Sequence, residues 1–457
     1  MTIRLEDLQR CFQGVAPAII STCARDGTPN VTYLSQVYYV DPRHVALSRQ
    51  FFNKTTKNID ENPQACVQVY DPLSFESYRL RLRFLRSETS GPLFDTMALR
   101  IQMIASHTGM AGIFRLISSD VYEVDAIEEV QGFLARAAAD DDAAVDRDDG
   151  PLTELRGLQL VSDRLRSARD LEGLLAATLA ALEEIFGFGH SMVLLPADSG
   201  ERLVTTASRG YGHEGIGAEV RVGDGCIGLV ARERRLVRFS DVRAEISYGR
   251  AVRGRVAATG CAALEPEIPL PGLPDAQSHM AIPLVAQDRL VGVIAVESRD
   301  PLAFDEWDEA FLSIIANQIA AVLDRMLADE DDGDEAPEAG ALAVPPTAPE
   351  RTFVYYRNDD CVFLDGEYLI RNVPAKILWK LLTAWRRDRR TDFCNRELRL
   401  DPTLGLPALR DNLESRLILL RKRLVEKCPD IRLVPRRRGV FGLEVSCQVK
   451  LIERDTA

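Results

Sequence analysis

Two stretches of this chain lack the apolar side chains that a folded core needs. Residues 137–150 (AAADDDAAVDRDDG) and 328–350 (ADEDDGDEAPEAGALAVPPTAPE) combine acid runs with Ala, Gly and Pro. Neither buries enough apolar surface to offset the entropy of ordering it, so both read as linkers. They divide the chain into domains over 1–136, 152–328 and 351–457, separated by linkers over 137–151 and 329–350. Three domains suit a length of 457 residues.

Charge follows the same division. Residues 351–457 hold 23 Lys and Arg against 15 Asp and Glu, a net of about +8. The total is −13, which leaves about −21 for the first 350 residues. A basic last domain on an acidic body points to a polyanionic partner for that domain alone. Apolar residues at 46% exclude wholesale disorder. The longest apolar runs, such as LVGVIAV at 290–296, are too short to span a bilayer. The start, MTIRLEDLQR, has no basic stretch followed by an apolar core, so no secretory signal is expected. Nine cysteines form no CxxC pair and no zinc-type spacing, which predicts reduced thiols, a cytoplasmic location and no metal site.

The first domain reads as strands at 15–23, 31–40, 44–50, 65–71, 78–88 and 114–124, with helices near 54–61 and 93–107. In YRLRLRFLRSE, Leu80, Leu82 and Phe84 alternate with Arg79, Arg81 and Arg83, the period of a strand with one wet face. Six short strands with two helices predict a closed antiparallel barrel. The runs IISTCARDGTPNVTYLSQVYYVD and HVALSRQFFNKTTKNIDENPQACVQVYD resemble the flavin-binding split barrel of the pyridoxamine 5′-phosphate oxidase-like superfamily. The resemblance implies a flavin phosphate held at SRQFFNKTTKNIDENP, with Lys54 and Thr55 at the matching positions and Ser48, Arg49 and Lys57 as supplements. A phosphate wants a fixed ammonium, hydroxyls and backbone N–H groups at a helix start, and this segment offers all three. Gln36 faces an isoalloxazine edge or is an ordinary barrel-surface residue. Relatives bind FMN, a deazaflavin, haem or nothing, and all these alternatives stay open. The substrate-pocket residues of the vitamin-making oxidases have no counterpart, so synthesis of pyridoxal phosphate is not expected. His107 reads as a cap or core residue rather than a haem ligand.

In the middle domain, 152–186 has the spacing of an amphipathic helix, its apolar pattern restarting after Asp170. Strand signals follow at 190–195 and 202–208, then a strand, glycine turn, short helix and strand over 220–242. Buried-looking strands at 280–286 and 290–298 precede a long helix from Asp305 to about Ala328. GDGCIGLVARERRLVRFSDV and HMAIPLVAQDRLVGVIAVESRDPLAFDEWDEAFLSIIANQIAAVLDRM are similar to a GAF domain, an α/β sandwich that binds small molecules or only dimerises. The stripe from Trp307 to Met326 is wide enough for both a core and a homodimer partner. The cyclic-nucleotide signature is not evident, and Cys261 is followed by Ala262 where bilin-binding relatives have Cys-His. Cys226, in a glycine turn before a helix, and Cys261 form a candidate redox pair or are inert buried thiols. His190, His213 and His279 lack metal-ligand spacing.

The last domain begins with strands at 353–356, 361–364 and 367–370, then helices at 373–388, 393–399 and 407–427, then a hairpin over 431–445 with PRRRG at its turn. ALRDNLESRLILLRKRL and DIRLVPRRRGVFGLEV resemble the response-regulator type of winged-helix DNA-binding domain. That resemblance implies a third helix in the major groove and a wing along phosphate. Arg436, Arg437 and Arg438 are the expected backbone contacts, with Asn412, Arg416 and Arg423 as candidates on the third helix. No phospho-acceptor receiver domain is recognised, so control by aspartyl phosphorylation is not expected.

Together these features predict a multidomain α+β chain of split barrel, GAF sandwich and C-terminal winged helix. The expected function is a ligand- or redox-sensing transcriptional regulator that binds FMN or another small molecule and DNA. The alternative is a flavin-dependent oxidase or reductase with regulatory domains, although no general acid, base or nucleophile stands out.

Overall fold

The computed structural model describes the chain apart from residues 1–2, 14–17, 51–52, 73, 75, 131–150, 169, 198–199, 212–214, 260–263, 269–271, 329–347, 407–412, 438 and 456–457. The described part is mixed α/β with four sheets. Strands β1 (Ala18–Cys23), β2 (Pro29–Leu34), β3 (Val37–Asp41), β4 (His44–Arg49), β5 (Gln64–Tyr70), β6 (Ser77–Glu88) and β7 (Ser118–Val130) form an antiparallel sheet in the order β2-β1-β5-β6-β7-β4-β3. Helices α1 (Lys54–Glu61) and α2 (Pro92–His107) belong to the same segment. This arrangement is consistent with a split barrel.

The seven strands exceed the six expected because the 31–40 run breaks at Ser35 and Gln36. Its halves, β2 and β3, lie at opposite edges of the sheet, which one straight strand cannot reach. Gln36 therefore lies at the crossing rather than mid-strand, and its carbonyl accepts from the Ser48 N–H at 3.1 Å. The last strand begins at Ser118, since Phe114 and Leu116 are buried against α2 instead. The alternation in β6 holds: Leu80 and Leu82 are fully buried and Arg79, Arg81 and Arg83 exposed. Arg83 pairs across the sheet with Glu123, which also takes Arg43 at 2.6 Å.

The middle segment holds α3 (Pro151–Ser167), α4 (Leu171–Phe186), β8 (His190–Pro196), β9 (Arg202–Arg209), β10 (Glu219–Arg221), α5 (Gly225–Glu233), β11 (Val237–Phe239), α6 (Val242–Thr259), β12 (Ser278–Ala286), β13 (Arg289–Ser298) and α7 (Glu306–Ala328). Its sheet order is β10-β9-β8-β13-β12-β11. The expected helix over 152–186 is two helices, because Asp170 caps α4 with its side chain on the Gly173 N–H at 2.7 Å. Helix α6 has no counterpart among the elements expected from the sequence.

After residue 347 come β14 (Glu350–Tyr356), β15 (Cys361–Leu364), β16 (Glu367–Arg371), α8 (Val373–Asp388), β17 (Asp392–Cys394), α9 (Asn395–Arg399), α10 (Leu413–Lys427), β18 (Ile431–Arg437), β19 (Val440–Val445) and β20 (Gln448–Arg454). They form sheets β16-β15-β14-β20 and β17-β19-β18. β20, not anticipated, pairs in parallel with β14. These elements share one core in which Phe353, Leu378, Leu381, Phe393, Leu413 and Leu420 are inaccessible to solvent.

The chain forms two compact units. The first is Met1–Arg156 with Gly223–Ile282 and Ala295–Leu312; the second is Gly157–Val222 with Pro283–Ile294 and Ser313–Ala457. No helix among the described residues is long and apolar enough to cross a membrane. No group of three metal-ligating side chains occurs among them. The eight described cysteines are free thiols.

Replacing the fully buried Leu82 by Ala should cost about 2–5 kcal/mol through lost burial and the cavity left behind. Replacing its exposed neighbour Arg81 by Ala should stay within about 0.5 kcal/mol. Urea denaturation of the two variants checks the contrast.

Candidate functional site

In the first unit, two side chains from the end of α2 cap the start of α5. Asp224, the residue before α5, makes no side-chain cap. The first N–H groups of a helix have no partner within it. Here the Gly225 N–H donates to Ser106 Oγ at 2.7 Å and the Cys226 N–H to His107 Nε2 at 3.1 Å. His107 Nδ1 lies 2.9 Å from the Ile268 carbonyl. The two contacts fix a neutral ring with its proton on Nδ1, since Nε2 must accept. Burial, with the neighbouring His279 adding to it, pulls His107 below its ordinary value of 6.5. A ring engaged at both nitrogens is a cap, as the sequence suggested, and offers nothing to a haem iron.

The segment after α6 continues this contact. The Ile268 N–H donates to the His107 carbonyl at 3.1 Å, and the Glu265 N–H to that of Gly109 at 3.0 Å. Gly109 has φ +62°, and a Cβ there would lie 2.1 Å from the Glu265 oxygen, so only glycine fits. Arg100 of α2 donates from Nε to the buried Glu245 of α6 at 3.0 Å. Around α5, Cys226, His279 and Glu297 are all buried, and His279 Nδ1 is 3.2 Å from Glu297 Oε1. Burial opposes a charge on His279, but the Cys226 thiol and Glu297 carboxylate outweigh it and raise its pKa to about 10. Cys261, the expected partner of Cys226, lies outside the described residues.

The expected flavin-phosphate segment surrounds a cavity of about 80 Å³ in the same unit. Ser48, Arg49 and Thr55 line it, joined by Gln50, Asn53 and Thr56, which the sequence pattern did not single out. Asn53 caps α1, accepting from the Thr56 N–H at 3.2 Å, and Thr55 Oγ1 accepts from Asn30 at 2.9 Å. Lys54 and Lys57 are exposed and outside the lining. Gln36 is buried but also absent from the lining, and its Oε1 has no hydrogen-bond partner among the described residues.

Two buried donors on the cavity, Arg49 Nε and Gln50 Nε2, lack hydrogen-bond partners among the described residues. Asp120 lies 3.8 Å from Arg49 Nε, which is ion-pair distance. These donors and the α1 start fit a phosphate-sized anion. The cavity is smaller than the roughly 300–1,000 Å³ that bury a whole drug-sized ligand, so it suits the phosphate end of a larger one. Tyr122 and Tyr248 are part of the wall, and Tyr248 comes from α6, where its hydroxyl meets Ser35. Nothing in the apolar pattern of RAEISYGRAVRGRV marked Tyr248 in advance.

In the second unit, Arg416 is 7% exposed, and burial lowers its pKa to about 10. Its expected base-reading role is corrected: a side chain so covered cannot reach a base edge. Arg423 donates to Glu426 at 2.9 Å. Arg436 is half exposed, with Nε 3.8 Å from Asp392 and Nη2 3.4 Å from Glu444. Asn412 and Arg438 lie outside the described residues, as does the side chain of Arg437.

Arg49→Ala should weaken FMN binding about tenfold, the scale of a lost hydrogen bond to a charged group; quenching of flavin fluorescence reads it. Stability of the first unit should also fall as pH drops below about 6.5. A depressed His107 makes the unfolded chain bind more protons there, so its contribution is present above 6.5 and lost through the folded-state value. His279, Cys226 and Glu297 face the same space, and the raised His279 works oppositely: its contribution is present below 6.5 and lost as pH rises toward about 10. Thermal melts of His107→Gln, which keeps a donor and an acceptor but does not titrate, should lack the acid limb.

A pyridoxamine 5′-phosphate oxidase family profile matches residues 5–129, and a GAF domain profile matches residues 170–323. No curated protein matches the chain. Among solved structures, the GAF domain of a phosphoenolpyruvate-protein phosphotransferase from Coxiella burnetii is 21% identical over 39% of this chain and 96% of that one, with TM-score 0.32. A free methionine-R-sulfoxide reductase from Neisseria meningitidis is 20% identical over 38% and 89%, with TM-score 0.31. An FMN-binding protein from Syntrophomonas wolfei is 19% identical over 28% and 88%, with TM-score 0.23. The chain carries a pyridoxamine 5′-phosphate oxidase-like N-terminal domain and, after it, a GAF domain.

Proposed function

We propose that the protein is a ligand-responsive transcriptional regulator whose barrel and GAF domain take up small molecules and whose last domain, 351–457, is a winged helix that binds DNA. The observation that carries this reading is a discrete hydrophobic core beneath a segment of net charge about +8. Three helices followed by the β18–β19 hairpin support it, because a winged helix needs that order. On the hairpin, Arg432 is exposed and Arg436 half exposed, and guanidinium forks suit phosphate oxygens. Base reading falls to α10 residues other than Arg416.

A homodimer fits this scheme, since paired half-sites call for paired readers. Its support is the apolar surface left on two helices: Trp307 (64% exposed) and Ile314 (45%) on α7, and Leu155 and Leu160 on α3. The barrel contributes a site for the phosphate end of a ligand with Tyr248 of α6 in its wall, so a ligand bound there also bears on α6. Such coupling works as a population shift, with the ligand favouring one arrangement over another.

Binding of the full chain to duplex DNA against salt tests the proposal. Affinity should fall linearly on logarithmic axes, and replacing Arg436, Arg437 and Arg438 by Ala should flatten the slope by up to about three. Binding without salt dependence, or none at low salt, would refute it.

A further inference from the structure

The second unit contains a cavity of about 560 Å³, within the range of small-molecule sites. Five cationic side chains line it: Arg202, Arg371, Lys376, Arg416 and Arg423. Among the described residues two carboxylates do, Glu219 and Asp360. Glu219 is shared between Arg202 Nη1 at 3.3 Å and Arg371 Nη2 at 2.8 Å, while Asp360 takes Lys376 at 2.8 Å. Among the described residues the lining thus holds more positive than negative groups, with Arg423 paired to Glu426 outside it. Arg416 is more than nine-tenths buried there.

The rest of the wall is apolar or aromatic, with Val204, Ile370, Leu419 and the ring of Tyr368. Gly217 shapes one end: it has φ +85°, and a Cβ there would come within 3.0 Å of Leu419. A bulkier residue would displace the end of the Leu419 side chain in the cavity wall.

We infer that this cavity binds a small organic dianion carrying an apolar ring, of the aryl or nucleoside phosphate class. The ring lies on the Tyr368, Ile370 and Leu419 wall. The anionic group meets Arg202 and Arg371, whose planar donors match phosphate oxygens two at a time. Because Arg416, Leu419 and Arg423 belong to α10, the ligand also acts on the helix assigned above to DNA, a coupling that rests on that proposal.

Isothermal titration calorimetry of the full chain with 1-naphthyl phosphate tests the site, with 1-naphthol as neutral control. The phosphate should bind once per chain and the naphthol at least about tenfold more weakly, the scale of lost hydrogen bonds to charged groups. The double variant Arg202→Gln/Arg371→Gln should weaken the phosphate about tenfold. Glu219→Gln, which removes a negative group from the wall, should tighten it. Arg49→Ala should leave it unchanged, which separates this cavity from the barrel's. Equal binding of naphthol and its phosphate, no effect of the double variant in protein with an unaltered circular dichroism spectrum, or loss in Arg49→Ala would each overturn the inference. Adding 1-naphthyl phosphate to the DNA titration reads the coupling. Absence of all DNA binding would remove the regulator reading, whereas the calorimetric result for the site would stand by itself.

Discussion

The first unit depends on a helix that cannot cap itself. Helix α5 starts in a glycine turn whose Asp224 makes no side-chain cap, so its leading N–H groups need acceptors from elsewhere. Ser106 and His107 supply them from the end of α2. An unmade hydrogen bond to a buried backbone donor costs roughly 1–3 kcal/mol, so the barrel segment and the GAF segment of this unit are held together by necessity rather than by chance packing. The cap works only while His107 is neutral. Burial lowers the pKa of His107, whereas the neighbouring Cys226 and Glu297 raise that of His279.

The same junction shapes the barrel cavity. Arg100 holds Glu245 in the first turns of α6, and Tyr248, one turn further on, reaches the cavity wall. Apolar side chains of α2 and α6 then close ranks, with Tyr248 and Val252 packed on the core that contains Ile101 and Ile104. The site has donors that suit a phosphate, and part of its wall, Tyr248, comes from a helix that follows the barrel in the chain.

How much was legible follows from which residues carry a periodic signal. The alternation of Leu80 and Leu82 with arginines, and the stripe Ile377, Leu378, Leu381, Leu382 and Trp385 of α8, declare a strand and a helix because one face of each is buried. Helix α6 was missed because its arginines recur through the turns and break any apolar stripe, although Tyr248 and Val252 are the residues that matter. Gln36 was misplaced because a crossing between sheet edges looks locally like continuous strand. Ser106 and His107 look like an ordinary helix end, since the donors they satisfy lie more than a hundred residues away. Arg416 was readable: it is three residues after Leu413 and four before Leu420, inside the buried stripe, and its charge drew attention away from its position.

The position of Arg416 also bears on what the basic segment is for. A net charge of about +8 does not by itself make a DNA-binding surface, because position decides which cations are available. Arg421 of α10 donates to Glu172 of α4 at 3.0 Å, and Arg371 shares Glu219 with Arg202. Within the second unit, carboxylates of the acidic middle segment therefore already hold some of the positive groups of the last one. A polyanion approaching α10 must compete with those carboxylates, and each such exchange trades one ion pair for another. On the hairpin, Arg432 is exposed and Arg436 half exposed, the latter at ion-pair distance from Asp392 and Glu444. On the proposals above, a small dianion would compete with Glu219 for Arg202 and Arg371, whereas a long polyanion would use outward-facing cations.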